Sequence, residues 1–162
     1  MFGDQYLHVT EKNDGDFGPD RIISVANMYF KNDSTQSDPE YMKTYNIMKI
    51  GDIAFEGNKS KNFAHGRFVE NTIGDGIVSH VFDVFRPKAD FDLFYWKFFI
   101  NNECVMGPVL IRCTKASTMM TNLVSTDFLR DKVFIPSISE QRSIGMLFQG
   151  LEDSIVLHQR EC

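Results

Sequence analysis

Residues 56–68, EGNKSKNFAHGRF, set Lys59, Lys61 and Arg67 against one acid, Glu56, in a chain whose formal net charge is −5. Cations at this spacing suit the holding of phosphate oxygens. Ser60, Asn62 and His65 lie among them. A second polar run, residues 114–121 with the sequence TKASTMMT, contains Lys115, Ser117, Thr118 and Thr121. The bland alternative for either run is a solvated surface loop, and the acidic total by itself argues against a nucleic-acid binder.

Other chemistry finds little support. Glu56, Glu70, Asp75 and Asp83 are not spaced as an acid and base pair, and no Ser/His/Asp or Cys/His set sits in a recognisable turn. Gly74-Asp75-Gly76 lacks the following Gly-Lys-Ser/Thr of a phosphate loop. His8, His65, His80 and His158 are scattered, and Cys104, Cys113 and Cys162 match neither a paired metal motif nor a disulfide framework. The expectation is a non-catalytic protein with no metal, no cofactor and reduced thiols.

The 162 residues are 43% hydrophobic, with 15 Phe, 5 Tyr and 1 Trp. A chain of that size buries roughly two-thirds of its unfolded surface around one core. No apolar run approaches the ~18 residues of a membrane span, and the first ten residues do not read as a secretory signal. A cytoplasmic protein away from membranes is expected.

The elements that must position the polar runs are short. Residues 6–10 and 21–26 read as strands, residues 47–50 and 53–55 as a β-hairpin around Gly51-Asp52, and residues 77–86 as one strand stopped by Pro87. Asp90 is the predicted N-cap of a helix over residues 91–102, whose Phe91, Phe94, Tyr95, Phe98 and Phe99 make an aromatic face for the core. Gly107-Pro108 punctuates a mixed stretch, and residues 114–121 read as a loop or a short helical turn. Residues 132–135 read as a last strand, broken by Pro136. The predicted class is α+β: a compact domain of short, mainly antiparallel strands with small helices over residues 1–136, its sheet closed or half closed. A long coiled-coil-forming helix follows over residues 137–162.

That helix opens on Ser137 and Glu140, the S-x-x-E spacing of a capping box. Ile144, Leu147, Phe148, Leu151, Ile155 and His158, with Cys162 beyond them, form a seam made to lie along another helix. Each aliphatic chain buried there contributes roughly 1.5–3 kcal/mol. The expectation is self-association through this face, the alternative being a helix folded back on its own domain.

The string from Phe128 to Glu161, FLRDKVFIPSISEQRSIGMLFQGLEDSIVLHQRE, resembles the segment of type I restriction-modification specificity subunits where a target recognition domain passes into a conserved spacer helix. The matching features are an aliphatic strand with its proline, Val133 to Pro136, then Glu140-Gln141, Leu151-Glu152-Asp153-Ser154-Ile155 and His158-Gln159-Arg160. Val9-Thr10-Glu11-Lys12-Asn13 is similar to the family's domain opening, and Gly76-Ile77-Val78-Ser79 with Phe82-Asp83-Val84-Phe85 to its central strand. Where the family often carries a Gly-Ser-x-Arg-like element near DNA, this chain has Ala116-Ser117-Thr118-Met119 and no arginine; the resemblance implies DNA contacts there for Lys115, Ser117, Thr118 and Thr121, with phosphate contacts for Lys59, Lys61 and Arg67 and base or sugar contacts for Ser60, Asn62 and His65.

The resemblance implies sequence-specific recognition of double-stranded DNA without catalysis, at one half of a bipartite site. The implied partners are a methyltransferase (modification) subunit, a motor-nuclease (restriction) subunit held through the complex, and a second copy of the chain docked through the C-terminal helices. Full-length members carry two recognition domains and two long antiparallel helices, whereas one domain and a helix of ~35 Å are read here. A half-sized or truncated subunit is therefore expected. An interaction or assembly module of the same fold, without autonomous DNA binding, is the alternative.

Overall fold

In the computed structural model, which describes residues 1–31, 38–88 and 90–161 (Glu161 by its backbone only), four short strands form the central sheet. They are β1 (Tyr6–His8), β8 (Val84–Pro87), β5 (Ile53–Glu56) and β6 (Arg67–Glu70), antiparallel throughout in the order β1-β8-β5-β6. Successive side chains on a strand point to opposite faces, and here both faces are covered. Ile53, Phe55, Phe68 and Phe85 enter one core cluster, while Ala54, Val69 and Val84 enter a second with Met48 and Val78. Three two-stranded sheets complete the β content: β4 (Asn46–Met48) with β7 (Gly76–Val78), β2 (Ile23–Ser24) with β3 (Tyr29–Phe30), and β9 (Thr114–Ala116) with β10 (Thr121–Leu123).

Helices α1 (Phe2–Gln5), α3 (Leu93–Ile100), α4 (Glu103–Cys113) and α5 (Ser125–Arg130) supply the residues that close the first core, and α2 (Pro39–Met42) gives Met42 to a third, smaller one. Phe128 of α5 is the hub of the first core. Its ring lies 4.6 Å from Phe2, 4.6 Å from Phe68 and 5.0 Å from Phe85. Opposite the helices, Arg86 forks onto the buried Asp52 through Nε and Nη2, the latter 3.0 Å from Oδ2, and reaches Glu11 through Nη1 at 2.9 Å. That fork ties β8 to the turn before β5.

Mixed α+β character with short antiparallel strands is what the sequence predicts, yet several local expectations are corrected. The hairpin over residues 47–55 does not form. The chain does turn there, with the Asp52 amide donating to the Lys49 carbonyl at 3.0 Å, but β4 pairs with β7 and β5 with β6 and β8. The single strand over residues 77–86 is two strands, β7 and β8, parted by a turn in which the Phe82 amide donates to the Ser79 carbonyl at 3.1 Å. Asp92 and not Asp90 caps α3, its Oδ1 accepting from the Tyr95 amide at 2.8 Å. Residues 114–121 belong to a β-hairpin, β9–β10, and residues 132–135 form no strand, although Val133 and Ile135 pack on the first core. Gly107-Pro108 lies inside α4, with Pro108 on its exposed face, where the missing N–H costs least.

The terminal helix, α6 (Ile138–Glu161), begins with the predicted capping box: Glu140 Oε2 accepts from the Ser137 amide at 2.9 Å and from its hydroxyl at 2.7 Å. Its near half lies along α3. Gly145 makes this possible, because a Cβ there would overlap Asp92 Oδ1. Phe148 stacks on Phe98 with ring centroids 4.9 Å apart, and Glu152 takes Lys97 at 3.1 Å. Residues 151–160 are all exposed. The predicted seam is thus divided. Ile144 and Phe148 serve the helix's own domain, Leu147, Leu151, Ile155 and His158 remain exposed, and Cys162 lies outside the described residues. No helix among the described residues is long and apolar enough to cross a membrane.

Candidate nucleic-acid interface

The two polar runs, separated by almost fifty residues in sequence, meet. Residues 57–66 connect β5 to β6, and residues 117–120 form the tip of the β9–β10 hairpin. At their base the Thr121 amide donates to the Gly57 carbonyl at 2.8 Å, and a Cβ at residue 57 would overlap the Thr121 carbonyl oxygen. Glycine at 57 is therefore what allows the two loops to share a foot. A cleft of about 90 Å³ lies beneath them, lined by Phe55, Gly57, Phe82, Asp83 and Thr121 among others.

Within the first loop, Lys59 and Lys61 are exposed and form no ion pair with an acid among the described residues. Ser60 and Phe63 close a tight turn: each amide donates to the other's carbonyl, at 3.0 and 3.3 Å, and Ser60 Oγ accepts from the Phe63 amide at 3.1 Å. Asn62 is exposed and His65 half-buried. Arg67 is committed elsewhere. Its Nε reaches Glu56 Oε2 at 2.9 Å, its Nη2 reaches the Ala26 carbonyl at 2.6 Å, and its guanidinium lies 5.4 Å from the Phe63 ring centroid. Sequence reading places Arg67 among the phosphate ligands; in the fold it neutralises the buried Glu56, which also accepts from Asn58 at 2.8 Å. The loop's own acid is thereby cancelled, and the charge left at its surface is that of two lysines.

On the β9–β10 hairpin, Lys115 of β9 and Thr118 of the tip are exposed. Ser117 is spent on the turn, its hydroxyl donating to the Met120 carbonyl at 2.6 Å. Thr121, expected at the interface, is 3% exposed and its Oγ1 has no hydrogen-bond partner among the described residues, so it supports the loops from below. Met119, at 84% exposure, stands at the tip instead, an apolar group able to meet a thymine methyl.

A neighbouring cleft of about 190 Å³ was not legible in the sequence. It brings His8, Thr10 and Lys12 against His80 and Asp83, residues some seventy positions apart that meet because β1 pairs with β8 and sets His8 opposite Phe85. His8 Nε2 is 3.2 Å from Asp83 Oδ1.

The strongly perturbed groups lie away from both clefts. Burial pushes the Glu70 carboxyl up to about 9, opposed by Lys97 and reinforced by Asp92, and burial lifts the Cys113 thiol to about 12, where it is inert. Among the described residues no group of three or more His, Cys, Asp or Glu side chains is placed to hold a metal ion.

Comparison of the chain with protein-family models finds no match, and comparison with curated proteins finds none either.

Proposed function

We propose that this chain reads sequence in duplex DNA as the recognition part of a type I restriction-modification specificity subunit, bringing methyltransferase and motor-nuclease subunits to one half of a bipartite site. The observation that carries the reading is the shared foot at Gly57 and Thr121, which joins the loop bearing Lys59 and Lys61 to the hairpin bearing Lys115. A major groove about 12 Å wide admits a two-stranded β-ribbon, and the β9–β10 hairpin is such a ribbon with lysines beside it. Phosphates taken by the lysines fix register, and the tips are left to meet base edges. The exposed side of α6 supports association with a second copy or with a companion subunit through Leu147, Leu151 and Ile155.

Fluorescence anisotropy of labelled duplexes against salt tests the reading. Three lysine–phosphate contacts give a slope of log affinity against log salt of about −2.7, and a selected duplex is held more tightly than a random one. The same exposed helix favours a second reading, an assembly module that binds protein alone. Association insensitive to salt, with no duplex retained, would select that module and discard DNA recognition.

A further inference from the structure

The cleft between β1 and the turn of residues 79–83 has the donors and acceptor of a base-pair reader, and a buried amide holds them in place. Asn46, 7% exposed, accepts from Lys12 Nζ at 2.6 Å and donates to the Phe82 carbonyl at 3.0 Å, so one side chain fixes both the lysine and the turn. An ammonium has three protons, and two remain for a ligand. His8 is braced from below by Phe85, with ring centroids 5.0 Å apart and planes 24° from parallel. Its Nε2 faces Asp83 Oδ1, and the Asp83 side chain, 36% exposed, keeps its other oxygen to accept. His80 stands exposed on the opposite lip, edge-on to Tyr41 at 6.2 Å.

Two cationic or polar donors beside one carboxylate acceptor match one major-groove pattern better than the rest. A G·C pair presents two adjacent acceptors, guanine N7 and O6, followed by the cytosine N4 donor. An A·T pair places a donor between its acceptors. The carboxylate also disfavours a bare phosphate in this cleft, in contrast to the lysine loops. Asp83 lines both clefts, and the one beneath the loops reaches Gly57 and Thr121, so this reader adjoins the lysine-bearing loops.

We infer that Lys12, His80 and Asp83 read a G·C base pair in the major groove. The inference rests on the DNA reading above and adds to it the base-specifying residues.

Selection from a random duplex pool, with the full chain, tests it. Wild type is expected to enrich a motif containing a G·C pair. Asp83→Asn should lower the preference at that one position by ~10-fold while sparing the others. His80→Ala, at an exposed residue outside the three cores whose ring meets only the exposed Tyr41 edge-on, should act at the same position and keeps the test open if Asp83→Asn does not fold. Lys59→Ala with Lys61→Ala should weaken every sequence alike. A motif unchanged in Asp83→Asn and His80→Ala, or an A·T pair at the position they alter, overturns the inference and leaves DNA recognition standing. A wild type that enriches no sequence overturns the DNA reading itself.

Discussion

The Thr121 amide donates to the Gly57 carbonyl at 2.8 Å while the Thr121 carbonyl occupies the space a Cβ at residue 57 would need. Two loops distant in sequence are locked together at a point where only glycine fits. Gly57→Ala should therefore pry the β9–β10 hairpin from the β5–β6 loop, at a cost of ~1–3 kcal/mol for forced overpacking. Chemical denaturation measures the cost, and faster amide exchange at Thr121 localises it. Unaltered exchange there would show that the foot is not shared.

Lys59 and Arg67, neighbours in the same basic run, should behave oppositely. Lys59→Ala with Lys61→Ala should leave the unfolding midpoint in place and flatten the salt dependence of duplex binding by about two phosphate contacts. Arg67→Ala should cost ~1–3 kcal/mol of stability by leaving the buried Glu56 without its partner. Thermal unfolding and salt titration of both variants separate the two roles.

Leu151 is 52% exposed on the half of α6 that leaves the domain. Leu151→Glu should shift sedimentation equilibrium toward monomer without lowering the stability of the domain. Gly145→Leu should do the reverse, lifting α6 from α3 and lowering stability through its collision with Asp92. A Leu151→Glu chain that still sediments as a dimer would remove this seam from the interface.

Glu70, 2% exposed with neither carboxylate oxygen hydrogen-bonded among the described residues, keeps its proton up to about 9 against an ordinary value of 4.5. Between those values the folded chain holds a proton that the unfolded chain releases, so stability falls as pH rises through the interval. Glu70→Gln removes this dependence. The variant should gain on wild type by at most about 1.4 kcal/mol per pH unit from pH 5 to pH 8 in parallel urea titrations. Parallel stability curves would place the carboxylate in contact with water.

What the sequence made legible was local. Ser137 and Glu140 announce their helix because a capping box involves only residues three apart; the aromatic run of residues 91–102 announces a helix too, but its buried side is Tyr95, Trp96 and Ile100 with Phe91 and Phe99 beside them, not Phe94 and Phe98. Partnership was hidden. Nothing in Ile47 or Phe55 says that they belong to different sheets, because β4 and β5 are buried on both faces and alternation then carries no register. Val81 and Phe82 have strand propensity, yet they sit at a turn whose form depends on Asn46, far away in the chain. Pro108 misleads in the opposite sense: read as a stop, it is tolerated on the exposed side of α4.

The candidate site divides along the same line. Composition marks the basic run, but whether a cation is free or engaged depends on tertiary neighbours, which is why Arg67 and Lys61 look alike in sequence and differ in the fold. Thr121 is hidden by the β5–β6 loop. The His8–Asp83 pair exists only through strand pairing, so no spacing rule could have found it.

Because the first turns of α6 are clamped on α3 at Gly145, the azimuth of its free turns is dictated by the domain that carries α3. Each residue on a helix advances the azimuth by about 100° and the axial position by 1.5 Å. One amino acid inserted just after Gly150 would swing whatever grips Leu151 and Ile155 a quarter-turn or more around the axis. Contacts along the far half would survive in composition while the loops joined at Gly57 and Thr121 faced another way.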